Sequence, residues 1–429
     1  MVQTNKDLHE RRLGALPSGL ASVAPFYVDR ALNAELWDVE NNRYLDFATG
    51  IAVCNTGHCH PKVVEAAKSQ LDRVMHTCAM VVMYDEYVTL AEKINSLVPI
   101  NNARSVFFNS GAEAVENAVR IARTATKRPG IITLRGGYHG RTALTSTMNG
   151  KVAPYRAGHV GGHAPNIYHA LAPMHPHTSE AEALKSIEHV FKVEIEADQV
   201  AAVVVEPVMG EGGFYPLSPS YMQALRSLTE KHGILLIADE VQTGFGRTGK
   251  LFATEHSGIE PDIMTIAKAM GGGMPISGVV GKAEIMDSVN PGGIGGTYSG
   301  NPVSCAAALA AIDVIIEDKL SERAEAIGQA FDECFTNLKA ENPDLPIGAV
   351  RGNGAMCAIE FLKTEDGQTI PDTEIVPKVI ANAKEEGLIV LACGYYGNCI
   401  RVLPPLTVPD NQLSEGLNKL KAAIQKAAK

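Results

Sequence analysis

No apolar run in the chain approaches the roughly 18 residues that a membrane-crossing helix needs, so no transmembrane segment is expected. A basic excess is also missing. Lys and Arg number 38 against 48 Asp and Glu, a formal net charge of −10, which argues against a nucleic-acid partner. One buried Arg could still bind an anionic substrate whatever the total charge. None of the eight cysteines (Cys54, Cys59, Cys78, Cys305, Cys334, Cys357, Cys393 and Cys399) falls in a Cys-x-x-Cys pair. A chain of this size needs no disulfide staples, so reduced and mostly buried thiols are expected. Internal repeats and low-complexity tracts are absent. Residues 1–12 mix Lys, Asp, Glu and Arg, with neither the apolar core of a signal peptide nor the acid-poor bias of a transit peptide. A cytoplasmic protein is the expectation.

What the sequence does have is ordinary globular composition, 45% hydrophobic and 20% charged, which excludes wholesale disorder. Its 429 residues suggest two or three domains at about 150 residues each. The middle of the chain alternates apolar runs with helical patterns. Strands are predicted at Ser105–Phe108, Gly130–Leu134, Val200–Val205, Ile234–Ala238 and Ile263–Ala267. Helices are predicted at Ala112–Thr126, Tyr221–His232 and Asn301–Glu317. Short runs without alternation point to strands covered on both faces, as in a parallel sheet. After about Asp318 the texture changes to an amphipathic helix over 320–340, short strands near 356–361, 388–391 and 399–403, and helices around 374–386 and 411–428. A smaller α+β unit is the reading. Residues 36–38 and 44–47 flank an Asn-rich turn and resemble a hairpin. The stretch His159–His177, with five histidines among Pro and Gly, is predicted as a long loop.

Three features carry chemistry. Asp239 ends an apolar strand, where ligands gather in open α/β sheets; a helix cap or loop acid is the plainer alternative. Lys268 stands at the end of another predicted strand, before a glycine cluster. A buried Lys loses proton affinity and can form a Schiff base; an exposed loop Lys is the commoner fate. Phe107–Val119 reads strand, Ser-Gly, helix, which leaves free amides for a phosphate, although Glu113 and Glu116 also suit a solvated first turn. A Lys, an acid and a phosphate cradle at strand ends together match what pyridoxal phosphate requires.

Two other patterns compete. Gly244 to Gly249 fits G-x-G-x-x-G, but five residues separate it from its strand and no helix pattern follows. Gly244 to Lys250 fits G-x-x-x-x-G-K, but Leu251 replaces the required hydroxyl. His58-Cys59-His60 and the histidine-rich stretch lack a second correctly spaced ligand set, so no metal is expected.

Over nearly its whole length the chain resembles the class III (subgroup II) aminotransferases. The motifs are residues 37–47, 55–61, 110–117, 138–142, Glu206-Pro207, 238–249 and Lys268 with its glycines. Within the class the likeness is to bacterial 4-aminobutyrate aminotransferases, through residues 50–52, 210–214, 168–177 and 399–406. The resemblance implies a fold-type I pyridoxal 5′-phosphate enzyme of α/β class. A large domain (58–320) with a mostly parallel sheet would hold the cofactor, and 1–57 with 321–429 would form a smaller α+β domain. It implies a homodimer, possibly paired into tetramers, with shared active sites. Lys268 would be the Schiff-base lysine and Asp239 the partner of the pyridine nitrogen. Gln242 would meet the ring hydroxyl, Tyr138 and Val241 would sandwich the ring, and Glu206 would belong to the cofactor site. Gly111 and Ala112 would cradle the phosphate, with Thr297 supplied by the other subunit. The family often has Ser or Thr where Ala112 stands.

For substrates, the resemblance implies that Arg141 binds the distal carboxylate and Arg401 the α-carboxylate of glutamate. Glu211 would neutralise Arg401 when an ω-amino acid is bound, and Ile51 would help set chain length. The implied reaction moves the amino group of 4-aminobutyrate to 2-oxoglutarate. Rivals are 5-aminovalerate, ornithine or N-acetylornithine as donor, then an aminomutase or decarboxylase on the same cofactor. Ile51 and residues 211–214 argue against the ornithine types.

Overall fold

The computed structural model describes residues 4–158, 162–174 and 177–429. Its centre is a seven-stranded sheet: β1 (Ala103–Phe108), β2 (Gly130–Leu134), β3 (Ile167–Ala170), β4 (Val200–Val205), β5 (Leu235–Asp239), β6 (Ile263–Ile266) and β7 (Ser277–Lys282). The spatial order is β1-β7-β6-β5-β4-β2-β3. Strands β6, β5, β4, β2 and β3 are mutually parallel, and β7 runs antiparallel to both of its neighbours, β6 and β1. The α/β class with a mostly parallel sheet is therefore present.

The apolar runs form strands because both faces are covered. Side chains alternate across a strand, and here the alternation feeds two separate cores. Ile132, Val203, Val205 and Leu236 pack on one side with the helices Glu180–Val193 and Pro219–His232. Ile131, Ala202, Val204 and Ile237 pack on the other with α1 (Gly111–Thr126). All six residues of Val200–Val205 are buried, and each buried Val contributes roughly 1.5 kcal/mol or more.

Two strands of this sheet went unread in the sequence. Strand β3 lies inside the stretch predicted as a long loop, 159–177; four residues with a central His carry too little apolar signal to mark an edge strand. His159, residues 160–161 and residues 175–176 lie outside the described residues. Strand β7, with two glycines in six residues, reads weakly as a strand.

The N-terminal hairpin is present as Glu35–Asp38 antiparallel to Arg43–Asp46. It gains a parallel partner from far along the chain, Leu388–Ile389. A second sheet joins Ile347–Asn353, Met356–Glu365, Cys399–Val402 and Leu391–Cys393 in that order. It places Arg401 opposite Ala358 and Leu391.

Candidate active site

The carboxyl ends of the parallel strands converge on one cavity of about 500 Å³. Gly111 and Ala112 follow β1, Tyr138 follows β2, Glu206 follows β4, Asp239 ends β5 and Lys268 follows β6. All six line the cavity, as do Arg141, Glu211, Val241 and Gln242. In an open α/β sheet this edge is where loops can present polar groups without breaking strand hydrogen bonds.

Lys268 leaves its strand in a left-handed conformation, φ +48°, and opens a short 3-10 turn. The chain reverses there, and the side chain is half-buried in the cavity wall. Burial first, and then the positive charge of Arg401, bring its pKa from 10.5 down to about 8, against the pull of Glu211, Glu206 and Asp239.

Asp239 is held on every side. Its Oδ2 meets His139 Nδ1 at 2.8 Å, and its Oδ1 accepts from Thr265 Oγ1 at 2.9 Å and from the Val241 amide at 3.2 Å. Burial disfavours a charged His139, but the hydrogen bond and charge of Asp239 outweigh it and raise the ring's proton affinity. Glu206 accepts from the amides of Tyr138 (2.7 Å) and Gly210 (3.0 Å). Its pKa is pushed up to about 7, chiefly by burial; His139 opposes the rise and Asp239 adds to it.

The start of α1 supplies the anion end. Ser110 caps the Glu113 amide, and the Glu113 carboxylate takes the amides of Asn109 and Ser110. The amides of Gly111 and Ala112 have no intrahelical carbonyl to bond, as at any helix start. A methyl group on Gly111 would come within 2.9 Å of Val241 Cγ1, so the glycine lets that Val close over the cavity. Ala112 brings an amide but no hydroxyl. Gln242 Oε1 is buried without a partner, an acceptor awaiting a donor. A buried amine of lowered pKa, a fixed carboxylate, an unpaired acceptor and a helix start suit an aldehyde, a cationic ring nitrogen, a ring hydroxyl and a phosphate. The residues present therefore fit pyridoxal phosphate.

Arg401 reaches this region from the second sheet. Its Nη1 donates to Glu211 Oε1, and its Nε is buried without a partner. Burial alone would raise the Glu211 pKa, yet Arg401 and the Tyr155 hydroxyl hold it below the usual value. For Arg401, burial is likewise outweighed by Glu211. Arg141 stands just before the helix Ala143–Met148, with its Cζ 5.8 Å from the Tyr138 ring centroid and 5.4 Å from that of Tyr155.

Two predicted residues lie apart from this chain's cavity. Ile51 occupies a turn in which Thr49, Gly50, Ile51 and Ala52 all have positive φ, and it is 41% exposed; Val53 lines the cavity nearby. Thr297 is exposed in the loop between the helices Ala283–Met286 and Pro302–Glu317. Conversely, His139, Thr265 and Tyr155 were not read as site residues. His139 stood inside the motif at 138–142 and could have been found there. Thr265 and Tyr155 carry no such signal, because only folding brings them to Asp239 and Glu211.

The competing patterns have structural uses. Arg247, at the fourth position of the glycine-rich run, is fully buried and donates to Asn55 Oδ1 and the carbonyls of Pro404 and Ala355. The run forms turns that lead into no α-helix. His58 pairs with Asp46 at 2.8 Å. Among the described residues no three His, Cys, Asp or Glu side chains gather as a metal site, and no helix is long and apolar enough to cross a membrane. The eight cysteines are free thiols.

Comparison with known proteins agrees with the geometry. The family model "Aminotransferase class-III" matches residues 19–424. The chain is 51% identical to the 5-aminovalerate aminotransferase DavT of Pseudomonas aeruginosa, covering 97% of each chain. It is 47% identical to the 4-aminobutyrate aminotransferase GabT of Escherichia coli, covering 99% of this chain and 100% of that one. A transaminase structure from the marine bacterium Virgibacillus superposes with a TM-score of 0.91 at 29% identity, covering 98% and 99%. With its strand-end cavity, buried amine and matched sequence, the chain belongs to the class III aminotransferase family.

Proposed function

We propose that this aminotransferase moves the amino group of 4-aminobutyrate to 2-oxoglutarate, giving succinate semialdehyde and glutamate in two half-reactions. The observation that carries the reading is the buried Arg401–Glu211 pair beside Lys268, with Arg141 in the same cavity. An ω-amino acid has no carboxylate at its reacting carbon, and glutamate has one. A paired Arg401 suits the first and a released Arg401 suits the second. Neutralisation by Glu211 avoids leaving a buried guanidinium unpaired. Arg141 binds the far carboxylate in both cases, and Ile51, outside the cavity in the turn that leads to its lining residue Val53, acts on chain length only through that turn.

The enzyme works with pyridoxal 5′-phosphate, which supplies an electron sink at the reacting carbon. Lys268 Nζ would hold it covalently, and the same amine, when free and neutral, would take a proton from the substrate carbon and deliver it to the cofactor carbon. Asp239, fixed by His139 and Thr265, keeps the ring nitrogen positive, and preorganised charge of this kind is usually the largest catalytic term. Gln242, Glu206, Tyr138 and Val241 orient the ring, and Gly111 and Ala112 bind the phosphate.

We assign the cofactor domain to 58–320 and the second domain to 1–57 with 321–429. The active unit of this proposal is a homodimer. Its support is an exposed apolar strip, including Met75, Met80, Val81 (77% exposed), Val82 and Met83, beside the loop that carries Thr297. His76 stacks on Tyr298, with ring centroids 4.8 Å apart, and Asn301 Nδ2 donates to the Met75 carbonyl, so strip and loop form one surface. Covering it with a second copy would carry Thr297 towards the partner's cavity.

A second reading takes 5-aminovalerate as donor and is favoured by the 51% identity to a relative of that name. Single-turnover kinetics with 4-aminobutyrate, 5-aminovalerate, ornithine and N-acetylornithine separate the readings. The proposal requires 4-aminobutyrate to react fastest at equal concentration; faster turnover of 5-aminovalerate replaces it with the second reading.

A further inference from the structure

We propose that Tyr155 is a positioning residue that latches Glu211 onto Arg401 and so sets the balance between one-carboxylate and two-carboxylate substrates. The inference rests on the reading of Glu211 and Arg401 as a switch and adds the group that governs its setting. Tyr155 lies in the segment after the helix Ala143–Met148. Its hydroxyl donates to Glu211 Oε2 at 2.9 Å, while Arg401 occupies Oε1. Glu211 is thus held at both oxygens.

The two-point hold matters because Glu211 sits in the turn Gly210–Gly213, whose other three residues are glycines. That backbone does little to fix the side chain, and its partners must. Both segments are tied to the same backbone. Lys151 Nζ donates to the Gly394 carbonyl at 2.8 Å, and the Gly394 amide donates to the Glu211 carbonyl at 3.1 Å. The Tyr155 ring packs edge-on against Tyr138 at 4.7 Å and lies 5.4 Å from Arg141 Cζ. Its position is therefore fixed by contacts that do not involve the hydroxyl, and Tyr155→Phe removes the latch while leaving the wall in place.

A hydrogen bond to a carboxylate shifts an equilibrium by roughly tenfold or more. Glutamate must open the Glu211–Arg401 pair, and 4-aminobutyrate does not. Loss of the hydroxyl destabilises the closed pair. The variant should therefore favour the ligand that needs the pair open, a gain in affinity that simple damage would not produce.

The test uses the holoenzyme, with glutarate as a two-carboxylate probe and pentanoate as a one-carboxylate probe, measured by calorimetry. Tyr155→Phe is expected to tighten glutarate about tenfold with pentanoate within about twofold. The ratio of single-turnover rates for 4-aminobutyrate over glutamate should fall by the same factor. Glu211→Gln, measured alongside, should also tighten glutarate relative to pentanoate. If Glu211→Gln shifts the ratio and Tyr155→Phe does not, the latch is wrong and the switch stands. If neither shifts it, the switch and the latch fall together. Equal weakening of both probes in Tyr155→Phe would mark a merely structural residue and overturn the proposal.

Discussion

Replacing Lys268 by Met isolates the cost of burying an ammonium in the cavity. In the cofactor-stripped protein, burial and Arg401 bring the amine from 10.5 to about 8. At 1.36 kcal/mol for each tenfold, the charged form costs the folded state roughly 3 kcal/mol. The sign follows from proton binding. Between pH 8 and 10.5 the unfolded chain holds this proton and the folded protein does not, so wild-type stability rises with pH across that window. Below pH 8 the full penalty is present. Met has similar length and no charge, so Lys268→Met should be more stable than wild type at pH 7 by up to roughly 3 kcal/mol. The advantage should shrink as pH rises through 8 towards 10.5. Urea unfolding of both stripped proteins at pH 7.0 and 9.5 measures this difference, and other titrating groups cancel between them. Labelling with an amine-acylating reagent and peptide mapping gives a second reading, with a midpoint for Lys268 near 8. Parallel stability curves together with a labelling midpoint near 10.5 would refute the argument.

Other outcomes follow from the same geometry. Lys268→Met should also abolish turnover, measured as glutamate formed; normal turnover would remove Lys268 from the reaction. Asp239→Asn loses the charge that His139 and Thr265 position, so kcat should fall roughly 10²–10³-fold; thermal melting confirms that the variant folds, and a loss below threefold would show that the carboxylate does not act on the ring nitrogen. Arg141→Ala should raise KM for both 4-aminobutyrate and 2-oxoglutarate by roughly ten- to hundredfold, and unchanged values for both would place it outside the site. Val81→Glu puts a charge into the exposed apolar strip and should shift the protein towards monomer in sedimentation, with a parallel loss of activity; unchanged mass and activity would exclude that face from the assembly.

The sequence by itself determined the sheet strands with continuous apolar runs, helices such as Gly111–Thr126, Pro219–His232 and Pro302–Glu317, and the place of Asp239 and Lys268 at strand ends. Those follow from local chemistry, since a run such as Val200–Val205 has few ways to bury itself. Strand β3, with His169 at its centre, and the glycine-bearing β7 escaped because their pairing comes from neighbours rather than from their own composition. Only the tertiary structure decided that His139 and Thr265, 100 and 26 residues from Asp239, fix its carboxylate. Folding likewise brings Tyr155 and Arg401 to Glu211 across 56 and 190 residues. It also buries Lys268 among charges that tune its amine. Proton affinity and hydrogen bonding depend on distance through space, which the order of residues along a chain does not record.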